Sequence, residues 1–186
     1  MHEKCGVVGI SLSDRNAARP LYYSLYALQH RGQEAAGIVT HDGFQQHDHV
    51  ETGMVGDVFD QTDLDQLNGE NGIGHVRYPT QGGLDAGCAQ PFSVSFKSGS
   101  LGLSHNGNLV NTEEVRQELA GLGHAFTTDG DTEVIAHDLA RNLLEEDLVR
   151  AVKSTMSRIH GSYSLTIMHD ETVLGVRDPQ GNRPLC

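Results

Sequence analysis

Cys5-Gly6-Val7-Val8-Gly9-Ile10 decides how the rest of this chain is read. It is a short apolar run bounded by glycine and serine, the pattern of a buried β-strand, and it begins on a thiol. Outward from it, Arg19–Gln29 repeats Leu21, Leu25 and Leu28 at helical spacing, with Pro20 in the first turn and Gly32 beyond the end. Ala36–Thr40 predicts a second buried strand, and Phe44–Val50, after the turn pair Asp42-Gly43, closes a hairpin with it. Asn71–Tyr78 predicts a strand running into Pro79–Gln90, whose glycines and lack of periodicity predict a mobile loop. Phe92–Phe96 alternates as a strand does, and Ser100–Ser104 is a strand that ends in a polar turn at His105-Asn106-Gly107-Asn108.

Three helices follow. Asn111–Leu119 opens with Asn111 as cap and Glu114 as its capping-box partner. Asp131–Leu144 carries Val134, Ile135, Leu139 and Leu143 on one stripe, and Leu148–Ile159 is the third. Ser162–Met168 and Thr172–Arg177 predict a closing hairpin around His169-Asp170. Strands at both ends with helices gathered between them predict α+β layers rather than a doubly wound sheet. Residues 178–186 read as a turn and the start of one more strand, so the chain is expected to be a C-terminally truncated piece of a longer protein.

The 186 residues suffice for one domain, and 37% hydrophobic content is that of a globular core, an aliphatic one since Trp is absent. The net charge of −12, with lysine only at Lys4, Lys97 and Lys153, points to a surface kept hydrated in concentrated salt, hence a halophilic source; an ordinary acidic cytosolic enzyme is the other reading. Such a field disfavours nucleic acid and anionic membranes as partners. Cys5, Cys88 and Cys186 are odd in number and lack a CxxC pair, so neither a disulfide framework nor a zinc ribbon is expected. Met1–Lys4 is too short and polar for a signal peptide, and the chain reads as cytoplasmic with reduced thiols.

Read alone, Cys5 is most simply a small core hydrophobe. It gains a base if it becomes the first residue, because a free α-amine has a pKa of roughly 7.7–8.0 and lies beside its own thiol. Asn106 and the Gly107 N–H have the chemistry of an oxyanion hole, although in isolation a plain Asn-Gly turn is the favoured reading. Arg77 can clamp a carboxylate through two parallel hydrogen bonds. Asp131 can pair a substrate ammonium, or simply match the helix dipole. His41, His47, Asp48, His49 and Glu51 allow a metal site as a weaker reading; no metal is assigned.

The order of these features is more specific than any one of them. CGVVGI at Cys5, LQHRGQEAAGI at Leu28, GHVRYPTQGG at Gly74, SHNGNLVN at Ser104, TDGDTEV at Thr128 and RDPQGNRPL at Arg177 resemble the class II, or N-terminal-nucleophile, glutamine amidotransferases. Within them the chain is most similar to the amidophosphoribosyltransferases, the branch that opens purine synthesis. The resemblance implies a four-layer α-β-β-α sandwich of the N-terminal-nucleophile hydrolase type. It implies Cys5 as nucleophile toward the glutamine side-chain amide, Asn106 and Gly107 as oxyanion donors, Arg77 on the α-carboxylate, and Asp131 with Gly107 on the α-amine. Arg31 would support the site, and Tyr78 and Thr80 would belong to a lid over glutamine. Because the nucleophile is at position 5, residues 1–4 would be a propeptide and 5–186 an incomplete glutaminase domain. The phosphoribosyltransferase domain, which takes phosphoribosyl pyrophosphate with Mg2+, would lie outside this chain. No cofactor is expected in the chain itself, and the full-length protein would be a homo-oligomer.

Overall fold

The computed structural model describes residues 5–78 and 88–186. The first sheet is built from β1 (Gly6–Ser11), β2 (Ala35–His41), β3 (Gln46–Thr52) and β4 (Asn71–Arg77), in the order β1-β4-β2-β3. The second is built from β5 (Phe92–Phe96), β6 (Gly99–Leu109), β7 (Gly161–His169) and β8 (Thr172–Arg177), in that order. Every neighbouring pair is antiparallel.

Alternation along β4 shows why two sheets stack. Gly72 and Gly74 face outward, and they leave room for Leu21 and Leu25 of α1 (Ala18–Leu28) to lie directly on the sheet. The predicted leucine stripe therefore does its packing against glycine. Each of these fully buried side chains contributes about 1.5–3 kcal/mol. The opposite face of β4 carries Ile73, which meets Val39, Met168 and Val173 in the seam between the sheets. On the second sheet, Leu101, Leu103, Leu165 and Ile167 face outward against α5 (Asp131–Asn142) and α6 (Leu148–Arg158). Helix, sheet, sheet and helix make the four layers expected from the sequence.

Two short helices in a stretch with no sequence reading, α2 (Val55–Val58) and α3 (Gln61–Gln66), add Val55, Val58 and Leu64 to the outer core over the first sheet. Asp60 caps α3 in a reciprocal box with Asp63.

Three local expectations need correction. Asn106-Gly107 is not a turn: β6 runs straight through it, with Asn106 opposite Ser164 and Gly107 opposite Tyr163. The long partner β7 supplies the ladder, and pairing overrides the local turn preference. Asn111 precedes α4 (Thr112–Gly121) without capping it by a side-chain bond. Its amide instead donates to the Arg158 carbonyl and accepts from the His160 N–H, both at 2.8 Å, satisfying backbone groups at the α6–β7 junction. Residues 178–186 form no strand; they make a turn around the buried Asp178.

Asp178 accepts from the Tyr163 N–H at 3.3 Å and the Asn182 N–H at 3.1 Å. Burial pushes its carboxyl up, but hydrogen bonds from the backbone of Asn182, Tyr163, Arg183 and Gln180 outweigh that and hold it below the usual value. A depressed pKa contributes stability that is complete above the unfolded value of about 3.9 and is lost as pH falls through the folded one. Thermal melts of the wild type are therefore expected to fall more steeply below about pH 4 than those of Asp178→Asn. Parallel curves would show that the turn gains nothing from the ionised form.

Candidate active site

The alternation that builds the seam also aims the candidate residues. A Cβ on Gly6 would meet Leu28 on the helix side, so Cys5 before it faces the second sheet. Gly6 is paired with Val76, which brings Cys5 beside Arg77 at the end of β4. From the second sheet, Ser104 reaches the Gly74 carbonyl across the seam, and Asn106 shares that face two residues on. The sheets are also tied here by His75, whose Nε2 lies 3.3 Å from the His105 carbonyl. Burial pushes the His75 imidazole down to about 3, so it is a neutral donor to that oxygen.

Cys5 is half-buried, and its carbonyl accepts from Arg31 Nε at 2.9 Å. Burial pushes the thiol up. The Tyr78 backbone N–H and the charges of Arg77, Arg183 and Arg31 pull it down, without cancelling the burial. A thiol in this state is protonated at neutral pH and needs a base to become a nucleophile. In the 186-residue chain the Cys5 nitrogen is part of a peptide bond and is no such base.

Arg77 is held by Glu34 at 3.3 Å, both side chains nearly closed off from water. The turn that carries Arg31 and Glu34 can come this close because Gly32 lies against the Arg77 backbone, where any Cβ would overlap the Arg77 carbonyl carbon. Asp131 opens α5 and binds on two sides: Oδ1 lies 3.1 Å from His105 Nδ1, and Oδ2 accepts the Leu109 N–H at 3.2 Å. Burial pushes its carboxyl up, but His105 and the N–H groups of Leu109 and Thr132 hold it below the usual value. It is thus an anion with free lone pairs left for an incoming ammonium. Gly107 has no room for a side chain, since a Cβ would overlap the Ser162 carbonyl oxygen and press on His105 Nε2.

Residues 77–186 match the glutamine amidotransferase domain family. This chain belongs to that family. It is 48% identical to the amidophosphoribosyltransferase of Methanocaldococcus jannaschii over 98% of its own length and 39% of the relative's. With the amidophosphoribosyltransferase of Archaeoglobus fulgidus it shares 47% identity, covering 98% of itself and 40% of that protein. The glutamine phosphoribosylpyrophosphate amidotransferase of B. subtilis, solved with ADP and GMP, superposes with a TM-score of 0.86 at 40% identity, covering 96% of this chain and 38% of that one. The chain thus spans about two fifths of the length of the relatives it matches. The N-terminal-nucleophile sandwich and the class II amidotransferase assignment expected from the sequence both stand.

For an amidotransferase domain the placement of the expected residues divides as follows. Cys5, Arg31, Arg77, Tyr78, Asn106, Gly107 and Asp131 all lie at one end of the two sheets. Thr80, and with it most of the expected lid, lies outside the described residues. Glu34, His105, Gln90 and Arg183 join the site without a role predicted from the sequence. Gln90 accepts the His105 N–H at 2.6 Å. Glu34 and His105 sit inside quoted motif blocks, three residues beyond Arg31 and one before Asn106, and that adjacency was their signal. The histidines weighed as metal ligands have other partners: His47 bonds Asp42 at 2.8 Å, and His49 reaches the Val58 carbonyl at 3.0 Å. Among the described residues no three acidic, histidine or cysteine side chains converge as a metal site would require.

Proposed function

We propose that this chain is the glutamine-hydrolysing part of an amidophosphoribosyltransferase, working once residues 1–4 are removed. The observation that carries the proposal is the convergence of the Cys5 thiol, Arg77 and Asn106 on one end of the seam, in a chain of this family. The freed α-amine of Cys5 takes the thiol proton. The sulfur attacks the side-chain amide carbon of glutamine, and the carbonyl oxygen becomes an oxyanion that accepts from the Asn106 amide and the Gly107 N–H. Collapse breaks the C–N bond, and the α-ammonium returns its proton to the leaving ammonia. Water, deprotonated by the same amine, hydrolyses the thioester to glutamate. Arg77 holds the substrate α-carboxylate, Asp131 and Gly107 its α-amine, Arg31 the Cys5 backbone, and Tyr78 with Thr80 covers the bound glutamine.

The ammonia would pass to phosphoribosyl pyrophosphate in a separate phosphoribosyltransferase domain, giving phosphoribosylamine in the first step of purine synthesis. Mg2+ would be bound there, and this chain's residues 5–186 need no cofactor for the hydrolysis. A homo-oligomeric full-length enzyme, a cytoplasmic location and a halophilic source complete the proposal. The last is supported by the net charge of −12. Among the described residues no helix is long and apolar enough to cross a membrane.

Intact mass before and after a diazoketone analogue of glutamine tests the reading. Loss of residues 1–4 and a single adduct, absent in Cys5→Ala together with all ammonia release, is the expected result. A chain that keeps Met1 and still hydrolyses glutamine would remove the amine from the mechanism. A processed chain that takes no adduct would point to a non-catalytic module.

A further inference from the structure

The segment after β8 has no regular structure, yet it is tightly held. Asp178 closes its turn, and the Gly181 N–H returns to the Asp178 carbonyl at 2.9 Å, with Gly181 at φ 66°. The Arg177 guanidinium donates to the carbonyls of Gly181 and Arg183. Farther on, the Pro184 carbonyl accepts from Ser164 Oγ at 3.0 Å. Ser164 is wholly buried and is the cross-strand partner of Asn106. Leu185 lies over Gly175, at 3.3 Å from where a Cβ would stand. Gly175 is opposite Thr166, which faces Gly9 of β1 across the seam. The segment is therefore laid along the seam face of the second sheet, in the row that holds the oxyanion candidate.

Arg183 sits between these anchors. It is half-buried, and its Nε is closed off from water with no hydrogen-bond partner among the described residues. Its guanidinium acts electrostatically on Cys5. The other two cations among the described residues that act on Cys5 are otherwise engaged: Arg31 donates to the Cys5 carbonyl, and Arg77 is paired with Glu34. A buried guanidinium edge without a carboxylate is costly unless an anion forms beside it.

We infer that Arg183 is a further residue of this active site, where its guanidinium offsets the negative charge that builds on the Cys5 sulfur as the thiol loses its proton. This rests on Cys5 as the nucleophile of the proposed function. The proton leaves Sγ for the base, the electron pair stays on sulfur, and Arg183 remains protonated throughout. Among the described residues the charged groups acting on Cys5 are Arg31 from the turn after α1, Arg77 from β4 with its partner Glu34, and Arg183; processing would add the α-amine.

The test is the pH dependence of Cys5 alkylation by iodoacetamide in the whole chain, read from the mass of the Cys5 peptide. Cys88 and Cys186 serve as internal controls, since neither they nor Cys5 form a disulfide among the described residues. Arg183→Met is expected to move the Cys5 midpoint up by about half to one pH unit and to slow its reaction at neutral pH about three- to ten-fold. Arg183→Lys, which keeps the charge, should stay near the wild type, and the control cysteines should be unchanged. A folded Arg183→Met whose Cys5 curve superimposes on the wild type overturns the inference. If Arg183→Met fails to fold, Arg183→Gln, which keeps donors in the same space, is read against the same two outcomes. If Arg183→Met shows the shift but the processed wild type takes no adduct from the diazoketone, the glutaminase reading falls and the electrostatic role stands.

Discussion

Asn106→Ala is expected to lower glutamine turnover about 10²–10³-fold while leaving KM within a few-fold of the wild type. The side chain reaches the seam from the middle of β6, buried to 5% exposure, so its position does not depend on a loop. In the proposed binding mode Arg77 and Asp131 grip ground-state glutamine at its other end, and the hydrogen bonds of Asp131 go to His105 and the Leu109 N–H. The amide therefore matters most when the carbonyl oxygen becomes an anion, and its loss appears in kcat. Steady-state ammonia release by the processed chain reads both constants. A large rise in KM with unchanged kcat would make Asn106 a substrate clamp instead. Cys5 alkylation by iodoacetamide should be unaffected, because that reaction builds no oxyanion.

The largest loss of stability is expected far from the site, at Arg158→Met. Asp138 is wholly buried on α5, and Arg158 from α6 brings its Nε within 2.8 Å of Oδ1. That N–H is not aligned on the oxygen, so the attraction is more Coulombic than hydrogen-bonded. The only other partner Asp138 has among the described residues is the Asn142 amide at 3.2 Å. Removing the guanidinium strands a buried charge, which costs about 3–5 kcal/mol when water is excluded. Arg158 keeps 29% of its side chain exposed and shares its charge with the surface Glu118, so about 2–4 kcal/mol is expected here. Urea unfolding should show a lower midpoint at constant slope. Adding Asp138→Leu should recover most of the loss, because it removes the unpaired charge; a double variant no better than the single would place the damage in packing.

The site was legible in proportion to how local its signals are. Cys5 at a strand start, Arg77 at a strand end and Asp131 at a helix start each sit where an element boundary can be read from periodicity and punctuation. Asn106-Gly107 was found as chemistry and misread as a turn, because Asn-Gly has a strong local preference that only the pairing with β7 overrules. Arg183 stands in the last motif block without a role there, since its electrostatic action on Cys5 depends on a fold-back over residues distant in the chain.

By itself the sequence determined the kinds of element and most of their limits: β1, α1, β2, β5, α6 and the β7–β8 hairpin stand within a residue or two of their periodic patterns. It did so because alternation and helical spacing are set by which face of each element must leave water. It also marked Cys5 as the candidate nucleophile, through the order of the motif blocks that begins with its thiol at the head of β1. The tertiary structure alone decided that Gly72 and Gly74 receive leucines from α1, that Glu34 pairs with Arg77, that Asn111 turns away from its helix to serve the α6–β7 junction, and that the charge of Arg183 acts on Cys5. Each of these satisfies a buried polar group or fills a space whose walls come from remote parts of the chain, and no window of sequence contains both sides of such a contact.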